Sequence, residues 1–211
     1  MEKKPVSTLV IRRLPRYYRY LEELMQKGVT KISSTELGRR MGTTASQIRQ
    51  DLNCFGGFGQ QGYGYNVVLL HDKIGSILGL DVEKNAIMIG AGNLGHALGA
   101  NMDMKPMGFN LVRIFDINPK IIGKTIGNVE VFPIDSLDDF ASSMNIDIAI
   151  LTLPKSVTAP MISKLDSLGI KAIWNFSNED IEVPGMIVEN VHLSDSLMTL
   201  SYRVAESKKV E

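Results

Sequence analysis

Residues 85–116 leave little freedom in how the middle of this chain folds. Ala86-Ile87-Met88-Ile89 is a continuous apolar run of the kind buried in a parallel sheet. Gly90-Ala91-Gly92-Asn93-Leu94-Gly95 follows at once and opens a helical stretch that reads through about Met104. A second strand, Leu111-Val112-Arg113-Ile114-Phe115-Asp116, ends in an acid roughly 20 residues beyond the last glycine. The three glycines do different things. Gly90 permits a tight turn, Gly92 lets the backbone approach a diphosphate, and Gly95 lets helix and strand pack closely. Free amides at the helix start, from Ala91 through Gly95, then bind the diphosphate. Asp116 accepts hydrogen bonds from ribose hydroxyls and repels a 2′-phosphate, which favours NAD over NADP. The alternative is a glycine turn in a sheet that binds nothing.

The downstream sequence keeps the same alternation. Ile146–Leu151 and Ile170–Trp174 read as strands, Val129–Phe132 and Met186–Val188 as weaker ones, and Ser136–Met144 and Val157–Leu168 as helices. Strands alternating with helices predict a mostly parallel, doubly wound α/β sheet of the Rossmann type. Asp195–Lys208 reads as a terminal helix with only a partial apolar stripe, Leu197, Leu200, Tyr202 and Val204.

Upstream the chain differs in charge and in period. Residues 1–80 carry 12 Lys/Arg and 6 Asp/Glu, residues 81–211 carry 11 and 17, so a net of zero hides halves of +6 and −6. That asymmetry predicts a basic nucleic-acid module joined to an acidic partner. Tyr17, Tyr20, Leu21, Leu24 and Met25 recur at helical spacing over Pro15–Lys27, with Gly28 as the stop. Ser33 with Glu36, and Thr44 with Gln47, form two capping boxes, opening short helices on either side of Gly42. Leu37, Met41, Ile48 and Leu52 face one core, which makes a helix-turn-helix whose second helix suits a major groove. Gly56–Tyr65, five glycines interleaved with aromatics and followed by strand-prone Asn66-Val67-Val68-Leu69-Leu70, reads as the wing of a winged helix, with a linking helix over 71–79. Ser46, Gln47, Arg49 and Gln50 on the second helix, Arg12, Arg13, Arg16 and Arg19 on the first, and Gln61 and Tyr63 in the wing are the residue types for DNA contact. The competing reading is a solvated basic face on a small helical subdomain.

Domain limits follow as 1–80, 81–193 and a terminal 194–211. Hydrophobic content of 44% and charged content of 22% are those of a folded chain. No apolar run is long enough to span a membrane and no signal-type core follows Met1, so the expected location is cytoplasmic. Cys54 is the single cysteine, which rules out an internal disulfide and a cysteine-rich metal site and leaves it as a packed residue. No metal site and no catalytic residue is expected. An NAD-dependent dehydrogenase is the chief rival, but residues 81–211 suffice only for the nucleotide fold and one helix, and His96, inside the phosphate helix, reads as a surface residue. A third reading is a nucleotide sensor with altered DNA binding, supported only by Gln60 and Gln61.

Taken together, Leu14-Pro15-Arg16-Tyr17-Tyr18-Arg19-Tyr20-Leu21, Ala45–Leu52, Phe58-Gly59 with Gly62–Val67, Gly90–Gly95 and Phe115-Asp116 resemble the redox-sensing repressor family Rex over essentially the whole chain. The resemblance implies a homodimeric repressor that binds palindromic double-stranded operators with NAD+ and releases them with NADH, controlling fermentation and respiration genes. It implies a C-terminal helix exchanged between subunits, with Arg16 and Asp195 as an interdomain coupling pair. It also points to Thr152-Leu153-Pro154 and Asn175-Phe176-Ser177 for the nicotinamide end, at the carboxyl ends of strands where open α/β sheets bind ligands. Each of those segments is equally readable as an ordinary strand-end turn. Three departures stand out: Gln60 and Gln61 replace the family's basic wing tip, Asn53, Cys54 and Gly57 replace a serine, a tyrosine and an acid, and Asn101 stands where some members place a coupling tyrosine.

Overall fold

The computed structural model describes residues 6–56, 59–60 and 64–209. Gln61 and Tyr63, expected at the wing, lie outside the described residues. The chain folds as two compact units, Met1–Val82 and Glu83–Glu211.

The first unit opens with helix α1, Thr8–Gln26, capped by the Ser7 hydroxyl accepting from the Leu9 amide. It begins about two turns before the expected start at Pro15. A proline inside a helix removes one backbone bond and costs about 3 kcal/mol. Here Val10 and Leu14 extend the stripe of Tyr17, Leu21 and Leu24 at helical spacing, and their burial outweighs that cost. Strand β1 (Lys31–Ile32) leads to α2 (Ser34–Met41) and α3 (Ala45–Asn53), joined across Gly42 in the left-handed region at φ 66°. Cys54, expected to be packed, is exposed: it lies just past the end of α3, beyond the buried face of Ile48 and Leu52, and its Sγ donates to the Gln50 carbonyl at 3.3 Å. Strands β2 (Gly59–Gln60) and β3 (Gly64–Asn66) complete an antiparallel sheet in the order β1-β3-β2. Helix α4 is Val67–Ile77, so the run Val67–Leu70, expected to be strand, is helical. Asn66 decides it: its Oδ1 accepts from the Leu69 amide at 2.9 Å, and Val67, Leu70 and Ile74 then fall on one buried face.

Both capping boxes form by half. The Ser33 and Thr44 hydroxyls each accept the predicted amide at 3.1 Å. The Glu36 carboxylate, however, pairs with Arg39 instead of reaching back, and the Gln47 side chain donates to Asp51. In both cases the carboxylate or amide finds a charged partner one turn along the helix, a stronger bond than one to a neutral amide.

The second unit runs β4 (Lys84–Ile89), α5 (Asn93–Asn101), a 3-10 turn at Lys105–Met107, β5 (Phe109–Asp116), β6 (Thr125–Ile126), β7 (Val129–Pro133), α6 (Leu137–Ser143), β8 (Ile148–Leu151), α7 (Lys155–Ser167), β9 (Ala172–Asn175), β10 (Ile187–Asn190) and α8 (Leu193–Ser207). The sheet order is β10-β9-β8-β4-β5-β7-β6, parallel throughout except for the β6–β7 pair. The chain winds outward from β4 to β7, then crosses back to lay β8 on the other side of β4. That reversal is the topological switch point, where ligands bind in doubly wound sheets. α5 stops at Asn101, short of Met104, because Met104 folds back onto the sheet and is buried.

One sheet face, with Ile87, Ile89, Phe115 and Leu151, is covered by Leu137 and Phe140 of α6 and Ile162 and Leu165 of α7. The other, with Ala86, Met88, Ile114 and Ile150, is only partly covered. There Met102, Met107, Phe109, Ile148 and Trp174 line an open apolar groove of about 320 Å³. Helix α8 buries none of its residues, and Leu193, Leu197, Met198, Leu200 and Tyr202 are each more than half exposed.

Candidate functional sites

The glycine loop is shaped by what a side chain would strike. Gly90 has φ +100°, and a Cβ there would stand 2.7 Å from the Thr152 carbonyl oxygen. A Cβ on Gly95 would fall onto the Gly90 carbonyl and lie 2.7 Å from Thr152 Oγ1. Gly92 is different, for its Cβ would meet nothing within 4 Å. Two of the glycines therefore serve internal packing, and the third opens onto free space in front of the loop. Helix α5 begins at Gly92 with no side-chain cap, as α6, α7 and α8 also do, whereas α1, α2, α3 and α4 each begin under one. The first amides of α5, from Asn93, Leu94 and Gly95, face a space no side chain fills, which is the donor set a diphosphate requires.

Asp116 and Thr152 hold that loop in place. Asp116 Oδ2 accepts from the Ala91 amide at 2.6 Å, so that amide, expected among the diphosphate donors, is engaged within the loop instead, and Oδ1 accepts from the Asn118 amide at 2.7 Å. Each oxygen retains further acceptor capacity, so ordering the loop is compatible with taking ribose hydroxyls. Thr152, directly after β8, donates its hydroxyl to the Gly90 carbonyl at 2.6 Å and so ties the ends of β4 and β8 together across the switch point. Pro154 is exposed at the start of α7. Asn175, at the end of β9, is 1% exposed: its amide donates to Glu179 O and Asn190 Oδ1, each at 2.8 Å, and its oxygen accepts from the Ser177 amide at 3.0 Å. It folds the loop after β9, and Phe176 packs edge-on against Trp174 with centroids 4.6 Å apart. His96 lies on the exposed side of α5.

In the first unit the outer face of α3 presents Ser46, Arg49 and Gln50, and Arg49 donates to the Ser34 hydroxyl at 3.0 Å. Arg12, Arg16 and Arg19 are exposed along α1. Arg13 is not among them. It turns inward to Asp51, 1% exposed, donating from Nε at 2.6 Å and from Nη2 at 2.7 Å. The Tyr17 hydroxyl at 2.6 Å and Gln47 Nε2 at 2.8 Å complete the set. Burial pushes the Asp51 carboxyl up, but the hydrogen bonds from Arg13, Tyr17 and Gln47 outweigh it and hold the group below its ordinary value. Burial, with the hydrogen bond to Asp51, pushes the Tyr17 phenol far up. A carboxyl depressed in the folded state contributes stability above its unfolded value of 3.8, and that contribution is lost as pH falls through the lower folded value. We therefore expect the first unit to lose stability on acidification below about pH 4, and the slope to flatten in Asp51→Asn. Chemical denaturation between about pH 2 and 6 measures it; an unchanged slope in the variant removes Asp51 as the cause.

The comparisons with known proteins meet this geometry at both ends. A family described as "Putative DNA-binding protein N-terminus" matches residues 5–53, and the "CoA binding domain" family matches residues 81–179. The redox-sensing transcriptional repressor Rex of Thermoanaerobacter pseudethanolicus is 56% identical over 208 residues, 98% of this chain and 93% of that protein. The Clostridioides difficile Rex is 53% identical over 206 residues, 97% of this chain and 98% of that one. The chain belongs to the Rex family. The solved structure of RSP, a Rex-family repressor, matches with a TM-score of 0.90 and 53% identity, over 98% of this chain and 97% of that one. RSP in complex with beta-NAD+ and operator DNA matches with a TM-score of 0.90 and 55% identity, over 99% and 96%.

In this Rex chain the fold thus brings Gly90–Gly95, Asp116 and Thr152 together at one switch point. Arg16 and Asp195, by contrast, are exposed in different units. Asp51 is the residue that sequence reasoning misses. Its signal is an acid four residues after Gln47 in an otherwise basic segment, but its partners on α1 lie 34 and 38 residues away. Among the described residues no cluster of His, Cys, Asp and Glu is arranged to hold a metal, and no helix is long and apolar enough to cross a membrane.

Proposed function

We propose that this Rex chain works as a homodimeric, redox-sensing transcriptional repressor, binding operator DNA through its first unit and NAD(H) through its second. The observation that carries the reading is the full-length match to a repressor solved with both beta-NAD+ and operator DNA, together with an α5 start that fits a diphosphate. A related structure holds RSP with beta-NADH, at 52% identity and a TM-score of 0.90. DNA contact falls to Ser46, Gln47, Arg49 and Gln50 of α3, to Arg12 and Arg16 of α1, and to Gln61 and Tyr63 of the wing, with Arg13, expected beside them, contributing indirectly. Arg13 acts through Asp51, since its guanidinium is already engaged.

The amides of α5 hold the diphosphate, Asp116 orients the adenosine ribose, and Thr152, Pro154, Asn175 and Phe176 frame the nicotinamide end. The nicotinamide supplies a change of charge and ring shape between its two redox states. Ligand binding shifts a conformational equilibrium only through differential affinity for its two states, so the reduced form must favour the arrangement that DNA does not tolerate. The exposed apolar residues of α8 are covered by the partner subunit, and Asp195 of the exchanged helix pairs with Arg16 to couple the two events. The chain is read as a regulator in the cytoplasm rather than as an enzyme, because the relatives and the solved structure it matches over nearly their whole length are named as repressors.

Fluorescence anisotropy of a labelled palindromic operator, titrated with NADH at fixed NAD+ and salt, tests the proposal. Release of the duplex is the expected result. An operator bound equally well at every NADH concentration that saturates the protein defeats it.

A further inference from the structure

Gln47 stands third in α3, within the N-terminal part of a recognition helix that reaches base edges. A half-buried glutamine amide ordinarily turns over freely, so that it offers either an oxygen or an NH2 to a base. This one is not free to do so. Its Nε2 donates at 2.8 Å to Oδ1 of Asp51, and Asp51 is itself fixed by Arg13 and Tyr17 in a buried position. A carboxylate is acceptor-only, so the reversed amide would set oxygen against oxygen at a buried site. The amide keeps one N–H beyond that bond, and Oε1 carries no hydrogen bond among the described residues.

We propose that Asp51 is a positioning residue that locks the Gln47 amide in one orientation, making Gln47 a specificity residue that selects adenine at one position of each operator half-site. With the N–H trans to Oε1 given to Asp51, the opposite edge offers Oε1 as an acceptor and the cis N–H as a donor, which matches the N6 amine and N7 of adenine. Guanine presents two acceptors on that edge, O6 and N7, and sets O6 against Oε1. Rotation of the amide relieves that clash in an ordinary glutamine, and Asp51 blocks it here. The inference rests on the DNA-binding reading above.

Selection from a random pool tests it. Full-length wild type, Gln47→Ala, Asp51→Asn and the double variant are each used to enrich a randomised palindromic duplex at fixed salt with NAD+, and the bound pools are sequenced. Wild type is expected to enrich adenine over guanine about tenfold at one position per half-site, while both single variants fall to about twofold there and nowhere else, with the double variant no worse than either. Placing 2-aminopurine at that position moves the amine to the minor groove, and should weaken wild type about tenfold while leaving Gln47→Ala unchanged. A helix merely loosened by Asp51→Asn loses affinity across all sequences, so uniform loss overturns the proposal, as does an Asp51→Asn pool that keeps the adenine preference. Should Asp51→Asn not fold, Gln47→Ala and the 2-aminopurine duplex decide, because Gln47→Ala leaves the Arg13 and Tyr17 bonds to Asp51 in place. A wild type that binds no duplex with either nucleotide defeats the DNA-binding reading and this inference with it, whereas binding with a uniform Gln47→Ala loss defeats this inference alone.

Discussion

Gly92→Leu is expected to leave the protein folded and to abolish its response to NADH. A Cβ at Gly92 meets no atom within 4 Å, and the residue's backbone, at φ −66° and ψ −169°, is open to any amino acid. Folding stability should therefore stay within about 1 kcal/mol of wild type, as for most surface substitutions. The space the leucine fills is the space in front of the first amides of α5, where a diphosphate has to come within hydrogen-bond distance of the backbone. Exclusion from it should weaken NADH binding by roughly 100-fold or more, about 2.7 kcal/mol. Gly95→Ala makes the useful contrast. Its methyl would strike the Gly90 carbonyl and Thr152 Oγ1, so the loss there should appear first in stability, at about 1 to 3 kcal/mol for overpacking. Calorimetric titration with NADH and thermal unfolding separate the two. Normal NADH affinity in folded Gly92→Leu would mean that the nucleotide does not lie on this loop.

Asp51→Ala should be the most damaging single change in the first unit. It strips Arg13 of a bidentate partner and leaves the Tyr17 hydroxyl, buried in the core, without an acceptor. Breaking a buried ion pair from one side costs about 3 to 5 kcal/mol, and Arg13 keeps 35% of its side chain in contact with solvent, which places the loss near 3 kcal/mol. For a unit of this size that corresponds to a fall in melting temperature of roughly 12–24 °C. Differential scanning calorimetry with Asp51→Asn alongside provides the check, since the amide keeps one acceptor for Tyr17 or Arg13 and should lose less. A fall below about 1 kcal/mol in Asp51→Ala would show that the buried cluster is energetically neutral, as some buried ion pairs are.

What can be read from the sequence is what depends on local chemistry. The spacing of Gly90, Gly92 and Gly95 behind an apolar run is dictated by packing between adjacent elements, and Ser33 and Thr44 cap helices a few residues away, so both are legible. The features that escape it depend on distant partners. The start of α1 before Pro15 follows from the burial of Val10 and Leu14 as a continuation of the α1 stripe, and Pro15 argues locally against it. The run Val67–Leu70 has strand-prone residues, and only the cap at Asn66 with burial on one face turns it into α4. The same holds at the sites. Asp116 is readable as an acceptor for a ribose, but its bond to the Ala91 amide depends on β4 and β5 lying side by side. Thr152 stands in the sequence as a residue at a strand end, and its contact with Gly90 exists only because the chain crosses over to lay β8 beside β4.

Helix α8 carries a last consequence. A solitary helix of 15 residues is marginal in water, and this one is composed so that its apolar side chains gain nothing from the chain that bears them. On the dimeric reading proposed above, its order comes from the partner subunit, and the folded state of the C-terminus becomes a matter of how much protein is present. Assembly by mass action then sets a floor on concentration below which the last turns fray, and the cell's copy number becomes one of the variables that decide whether the repressor is complete.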